Sequence, residues 1–194
     1  AERYDLELAP FEPYREAAIA QLALQPGETV LDIGCGTGLS FGQLLQGIGP
    51  QGRIVGVEPS PEMLGQARER LARHDWRNIE LVEAGAADAT LPRGADAALF
   101  HFTHDVLRSG LAIDHVLAHL RPGARVVAAG LQWAPAWMCA TNAFVLGAAL
   151  YSISSLEGLH CPWDKLATRL VDLHVDTALM GGIYIARGRV GARH

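Results

Sequence analysis

Val30-Leu31-Asp32-Ile33-Gly34-Cys35-Gly36-Thr37-Gly38 decides how this chain folds. An apolar run ends in an acid and then breaks into three glycines at alternate positions. This pattern describes a buried strand whose C-terminal end turns sharply, leaving backbone N–H groups where a ligand can lie against the main chain. A dinucleotide loop would be spelled Gly-x-Gly-x-x-Gly. Here the third glycine of that pattern is replaced by Leu39, and Gly38 comes one position early. Asp32 inside the turn also suits a ligand bearing an ammonium group better than a doubly charged pyrophosphate.

Working outward, Ser40 to Gly47 reads as a short helix, and Arg53-Ile54-Val55-Gly56-Val57-Glu58 as a second buried strand that also ends in an acid. Glu58 falls about 20 residues beyond the glycines, where an acidic side chain meets a ribose diol in doubly wound folds. Its two oxygens can accept from both hydroxyls. Ser60-Pro61-Glu62 is a helix start with a cap, an early proline and an early acid. Strands follow at Ile79 to Ala84 and Ala95 to Phe102, then a helix through Val106 and Leu117, then the turn and strand of Leu120-Arg121-Pro122-Gly123-Ala124-Arg125-Val126-Val127. Alternation of strands with helices of this length predicts a parallel sheet covered on both faces. Leu173 to Leu179 and Gly182 to Val190 are separated by Met180-Gly181 alone, a connection short enough only for an antiparallel hairpin.

Val30 to Gly38 resembles the first motif of class I S-adenosylmethionine-dependent methyltransferases, and the resemblance continues through most of the chain. It implies an α/β, Rossmann-like doubly wound fold in three α/β/α layers. The sheet would have seven mostly parallel strands in the order 3-2-1-4-5-7-6, with strand 7 antiparallel. It implies S-adenosyl-L-methionine as methyl donor, S-adenosyl-L-homocysteine as its product, and transfer of the sulfonium methyl by direct displacement. Cofactor contacts are implied for Asp32, Gly34, Cys35, Gly36, Thr37, Gly38 and Glu58. Pro59 and Met63 match positions that pack on the adenine ring. Ala87-Asp88 resembles the site that meets the adenine amino group, with Glu83 as the rival acid. His101 and Phe102 match positions beside the cofactor, and Tyr4-Asp5 is spelled like a pair that touches it from an N-terminal lid.

The acceptor chemistry is read at Phe100-His101-Phe102-Thr103-His104-Asp105, at the end of the fourth strand. His104 is the candidate base and Asp105 its orienting acid, because imidazole titrates near neutrality. Asp105 is equally a natural helix cap, and His104 equally a wall of the pocket. Methyl transfer requires chiefly alignment of donor and acceptor, with proton removal only where the acceptor carries one. The Asp-Pro-Pro-Tyr motif of nucleic-acid amino-methylating enzymes is absent here.

The chain's 194 residues, 49% hydrophobic, suffice for one domain with a full core. The expected organisation is a single domain over 1–194, with an N-terminal helix and lid over 1–25 and a candidate substrate-side helical cap over 134–165. Formal charge is -5, Lys165 is the sole lysine, and the arginines form no long basic run, so nucleic acid is not an expected partner. Cys35, Cys139 and Cys161 have no metal spacing and suit a reducing, cytoplasmic compartment. No signal peptide is evident. His115 and His119 stand four apart, a zinc-like spacing, but lack a third ligand and read as a pair on a solvated helix face. No metal is expected.

Val126 to Leu156 contains no charged residue. Ala136 to Ser154 within it reads as a buried apolar helix rather than a membrane span, because Pro135, Thr141, Asn142 and Gly147 interrupt it. Its aromatics Trp137, Phe144 and Tyr151, with Trp133 and Trp163, are candidates to wall a pocket for a small-molecule or lipid-like acceptor. Peripheral membrane contact or a dimer face are the alternatives, and both monomer and homodimer remain open. The function expected is methyl transfer. A catalytically silent cofactor-binding regulatory domain and an NAD-dependent oxidoreductase are its rivals.

Overall fold

The computed structural model describes residues 11–152 and 155–192, the side chains of 151 and 152 excepted. The Tyr4-Asp5 pair lies outside these residues. The elements run α1 (Glu12–Gln21), β1 (Thr29–Ile33), α2 (Phe41–Ile48), β2 (Arg53–Glu58), α3 (Pro61–His74), β3 (Ile79–Glu83), β4 (Ala95–His101), α4 (His104–Arg108), α5 (Gly110–Ala118), β5 (Leu120–Leu131), α6 (Cys139–Ser152), α7 (Asp164–Ala167), β6 (Leu170–Ala178) and β7 (Ile183–Val190). They build a seven-stranded sheet in the order β3-β2-β1-β4-β5-β7-β6. β7 runs antiparallel to both of its neighbours, while β1 to β5 pair in parallel. The fold expected from the sequence is the fold observed.

Strand alternation divides the core into two layers. Leu31, Ile33, Val55, Val57, Ala98 and Phe100 face one way, toward Leu107, Ile113, Val116 and Leu166. Val30, Ile54, Ala97 and Leu99 face the other, toward Ala18 of α1 and Leu22 just after it, Phe41, Leu44 and Ile48 of α2, and Leu64 of α3. Every one of these side chains is almost wholly removed from water. At about 1.5–3 kcal/mol for each large apolar side chain, these two layers supply the bulk of the driving force for folding.

The helix expected through Val106 and Leu117 is two helices. Ser109 is extended at φ -92°, ψ 105°, and its hydroxyl accepts from Ala112 N at 3.2 Å, capping α5 as α4 ends. A polar residue with a local capping alternative broke a helix that the apolar pattern alone would continue. α3 starts as expected, with Ser60 Oγ accepting from Met63 N at 3.3 Å.

The apolar helix is not the fully buried crossover anticipated. In α6, Val145 and Ala149 are buried, whereas Phe144 is 45% and Leu150 69% exposed. Among the described residues it packs on the 3-10 turn over Leu179–Gly181 and, through Phe144, on Phe11. No helix among the described residues is long and apolar enough to cross a membrane.

Candidate functional site

Asp32 is the fourth residue of β1, and Leu99 of β4 is its partner in register. Asp32 shares the face of Val30, and His101 shares the face of Ala97 and Leu99. The same face of the sheet is covered by α1, whose Arg15 is buried at 5% exposure and pairs with Glu12. One acid, one imidazole and one guanidinium are thus brought together from three elements. Burial pushes the Asp32 carboxyl up to about 7, with Arg15 opposing the rise and Glu58 adding to it. Burial, and then Arg15, push His101 down to about 3, so its imidazole is neutral over the whole ordinary pH range.

Beyond β1 the chain turns back on its neighbour. Gly34 N and Cys35 N both donate to Val57 O, at 2.7 and 3.0 Å, and Gly36 N donates to Glu58 Oε2 at 3.1 Å. The other oxygen, Glu58 Oε1, accepts from Ser60 N at 3.0 Å. Glu58 is therefore fixed by two amides before any ligand is considered, and each of its oxygens keeps a further lone pair. Gly34 has φ +71°, and a Cβ there would stand 2.3 Å from Thr103 Cγ2; Gly36 has φ +55° and nothing within 4 Å of where its Cβ would be. The first glycine lets β4's loop approach. The second leaves open a space that a side chain would fill.

That space is a cavity of about 980 Å³ at the carboxyl ends of the strands, the place where doubly wound sheets bind ligands. Of the residues anticipated from the sequence, Asp32, Gly34, Cys35, Gly36, Thr37, Glu58, Pro59, Met63, His101, Phe102, His104 and Asp105 line it. Gly38, Ala87, Asp88 and the rival Glu83 do not. Gly38 instead donates to Cys35 O at 2.9 Å inside the loop, Asp88 N is tied to Gly85 O, and Glu83 pairs with Arg68. The aromatic wall also differs from expectation. Trp163 packs on Tyr184 at 4.9 Å and Trp133 in a cluster with Leu131 and Leu159. Phe11 and Phe102, in an edge-to-face pair at 5.0 Å, take their place in the cavity, with Leu131, Val106 and Ala148 completing the apolar side.

Arg15 and Phe11 were not foreseen, whereas Thr103 belongs to the stretch after the fourth strand that was. Arg15 reads as an ordinary polar position of an amphipathic helix, and only the packing of α1 on β4 and β5 brings it to Asp32 and His101. Phe102 carries a signal that no composition shows: a bulky residue at φ +56°, a strained backbone of the kind that gathers at functional sites. Its N–H reaches Ala129 O at 2.7 Å, which holds the turn. His115 and His119 are spent on carbonyls, Nε2 of the first on Ala89 O at 2.8 Å and Nδ1 of the second on His115 O at 2.9 Å. Both are half-buried rather than solvated.

Residues 30–123 match the family described as a methyltransferase domain. Over these residues, a little under half of its length, the chain is similar to the class I S-adenosylmethionine-dependent methyltransferases. Among its relatives are the arsenite methyltransferase of Halobacterium salinarum, 36% identical over 65% of this chain and 32% of that protein, and the trans-aconitate 2-methyltransferase of Azoarcus sp., 35% identical over 54% of this chain and 40% of that protein. The chain spans roughly a third of the length of such curated relatives. The fold is that of the N-methyltransferase NodS from Bradyrhizobium japonicum WM9 in complex with S-adenosyl-l-homocysteine, with a TM-score of 0.68 at 20% identity, covering 96% of this chain and 91% of that one.

The residues present fit the family's methyl donor. Asp32 Oδ2, His101 Nε2 and Thr103 Oγ1 are shielded from water without hydrogen-bond partners, and all three residues line this one cavity. An unsatisfied buried polar atom costs about 1–3 kcal/mol, so these three residues beside the cavity keep hydrogen-bonding capacity that the described residues do not use. The open cradle at Gly36 and the pre-set carboxylate of Glu58 match a ligand with a ribose and an amino acid tail.

Proposed function

We propose that this chain transfers a methyl group from S-adenosyl-L-methionine to a small-molecule or lipid-like acceptor. The observation that supports this most directly is the cavity at the carboxyl ends of the strands, where the open cradle at Gly36 meets the Glu58 carboxylate already held by two amides. When bound, S-adenosyl-L-methionine supplies a methyl on a positively charged sulfur whose S–C electron pair departs with a neutral thioether.

The chain's own residues then have separable tasks. Glu58, held by Gly36 N and Ser60 N, accepts from the ribose hydroxyls. Pro59 and Met63 pack against the base, and the amides of the glycine turn run along the tail. Asp32 accepts from the ammonium, and the positive charge of that group favours the ionised carboxylate that burial alone opposes. Phe11, Phe102, Leu131 and Ala148 form an apolar wall that excludes water and suits an acceptor with a substantial apolar part. The arrangement lowers the barrier chiefly by orientation.

Isothermal calorimetry with S-adenosyl-L-methionine, S-adenosyl-L-homocysteine and NAD tests the reading. Binding of the first two and not the third is the expected result, and binding of NAD alone refutes it. Release of S-adenosyl-L-homocysteine in the presence of candidate acceptors then separates an enzyme from a silent binding domain. Tight binding with no turnover across small apolar acceptors would favour the regulatory alternative.

A further inference from the structure

His104 opens α4 and lines the cavity although only 7% of it is exposed. Its Nε2 lies 2.8 Å from the backbone carbonyl oxygen of Glu157. A carbonyl accepts and never donates, so the proton of the neutral ring sits on Nε2 and the lone pair on Nδ1. No hydrogen bond engages Nδ1 among the described residues, nor does it belong to the solvent-shielded unpartnered atoms. It therefore keeps contact with the cavity.

We propose that the Glu157 carbonyl locks the tautomer of His104 so that a bare Nδ1 receives a proton from the methyl acceptor, which places the acceptor in the protic class: an N–H, O–H or S–H nucleophile joined to an apolar body. This rests on the methyltransferase reading of the same cavity. The acceptor heteroatom uses its lone pair to bond the methyl carbon, the old S–C pair stays on sulfur, and the heteroatom's proton passes to Nδ1. The resulting imidazolium keeps its Nε2 proton on the carbonyl and returns the other to solvent.

The lock has its own support. Arg108 stands one helical turn after His104 on α4, so the two side chains leave the same face, and its guanidinium pairs with the Glu157 carboxylate. Glu157 N also donates to Ser155 Oγ at 3.2 Å. Arg108 is thus a positioning residue, and the orienting partner of His104 is the Glu157 carbonyl rather than the carboxylate of Asp105.

Long-range ¹H–¹⁵N correlation spectra of the whole chain labelled in histidine nitrogen read the tautomer directly, with the His104 signals assigned by their loss in His104→Gln. The expected spectrum has His104 protonated at Nε2 alone, without ligand and with S-adenosyl-L-homocysteine. Arg108→Ala is expected to convert this into a tautomer mixture while S-adenosyl-L-homocysteine affinity stays the same. Phenol added to the S-adenosyl-L-homocysteine complex is expected to move the Nδ1 resonance, and anisole, which lacks the proton, to leave it in place. A ring protonated at Nδ1 overturns the lock, an unchanged tautomer in Arg108→Ala overturns the role of Arg108, and equal responses to phenol and anisole overturn the protic class. Failure of S-adenosyl-L-homocysteine to bind would refute the methyltransferase reading instead, while the ligand-free spectrum still decides the tautomer.

Discussion

Asp32→Asn separates what this buried acid costs the fold from what it does for a ligand. Asp32 is 1% exposed, and its pKa is pushed up from 3.8 to about 7 by burial, the largest cause. Each factor of ten is worth about 1.4 kcal/mol, so full ionisation of Asp32 in the folded protein opposes folding by about 4 kcal/mol. The folded state holds this proton to higher pH than the unfolded chain does. Its contribution is therefore present at low pH and lost as pH rises through the window from about 4 to about 7. His101 has the opposite slope. Its folded value of about 3 lies below the ordinary 6.5, so the unfolded chain takes up the extra proton and stability falls as pH drops from about 6.5 to 3. Because the two slopes oppose one another, these two contributions largely cancel in the wild-type curve between about 4 and 6.5. The difference between wild type and Asp32→Asn isolates the acid, since the amide is close in shape to the protonated carboxyl and does not titrate. Urea unfolding at pH 4.5 and pH 8 is the assay, with equal m values as the control for two-state behaviour. The variant is expected to gain little at the lower pH and up to about 4 kcal/mol at the higher. The same substitution is expected to weaken S-adenosyl-L-methionine binding at pH 8 by about 1.5–3 kcal/mol, the worth of a hydrogen bond to a charged group. An equal stability change at both pH values would refute the burial argument.

Three further outcomes follow from the same geometry. Glu58→Ala removes the acceptor for the ribose and also frees Gly36 N and Ser60 N; calorimetry is expected to show a loss of about 2–4 kcal/mol in cofactor affinity, and an unchanged dissociation constant would take Glu58 out of the site. Gly36→Ala meets no atom within 4 Å but sits at φ +55°, so thermal unfolding should report only about 1–2 kcal/mol of strain while affinity falls by more, because the methyl stands in the cavity. Arg125→Ala breaks an ion pair with Glu28 whose side chains are only 14% and 11% exposed, and chemical denaturation is expected to show a loss of about 3 kcal/mol. Replacing both partners together, as Glu28→Gln with Arg125→Met, should recover much of it.

Much of the fold was legible because it is written in short-range chemistry. Val30 to Gly38 names a buried strand and a turn that only glycine tolerates, and the two-residue gap at Met180-Gly181 allows nothing but a hairpin. The residues anticipated at the adenine were less legible: Ala87 and Asp88 belong to a turn outside the cavity lining, whose facing depends on β3 and the loop after it. The apolar segment misled for a related reason. Periodicity shows that Phe144 and Leu150 are apolar, but whether a second surface covers them depends on what the rest of the molecule places there.

The site divides along the same line. By itself the sequence determined the closing hairpin, the glycine turn, the acid within it and the acid that ends β2, because each follows from the backbone freedom and hydrogen-bonding capacity of residues close together in the chain, while the strand order came with the resemblance. Only the tertiary structure decided that Arg15 is brought to Asp32 and His101, that Phe11 and Phe102 rather than the tryptophans wall the cavity, and that His104 Nε2 is hydrogen-bonded to a carbonyl 53 residues away. Those pairings are set by sheet register and helix packing, which bring together groups that share no local pattern.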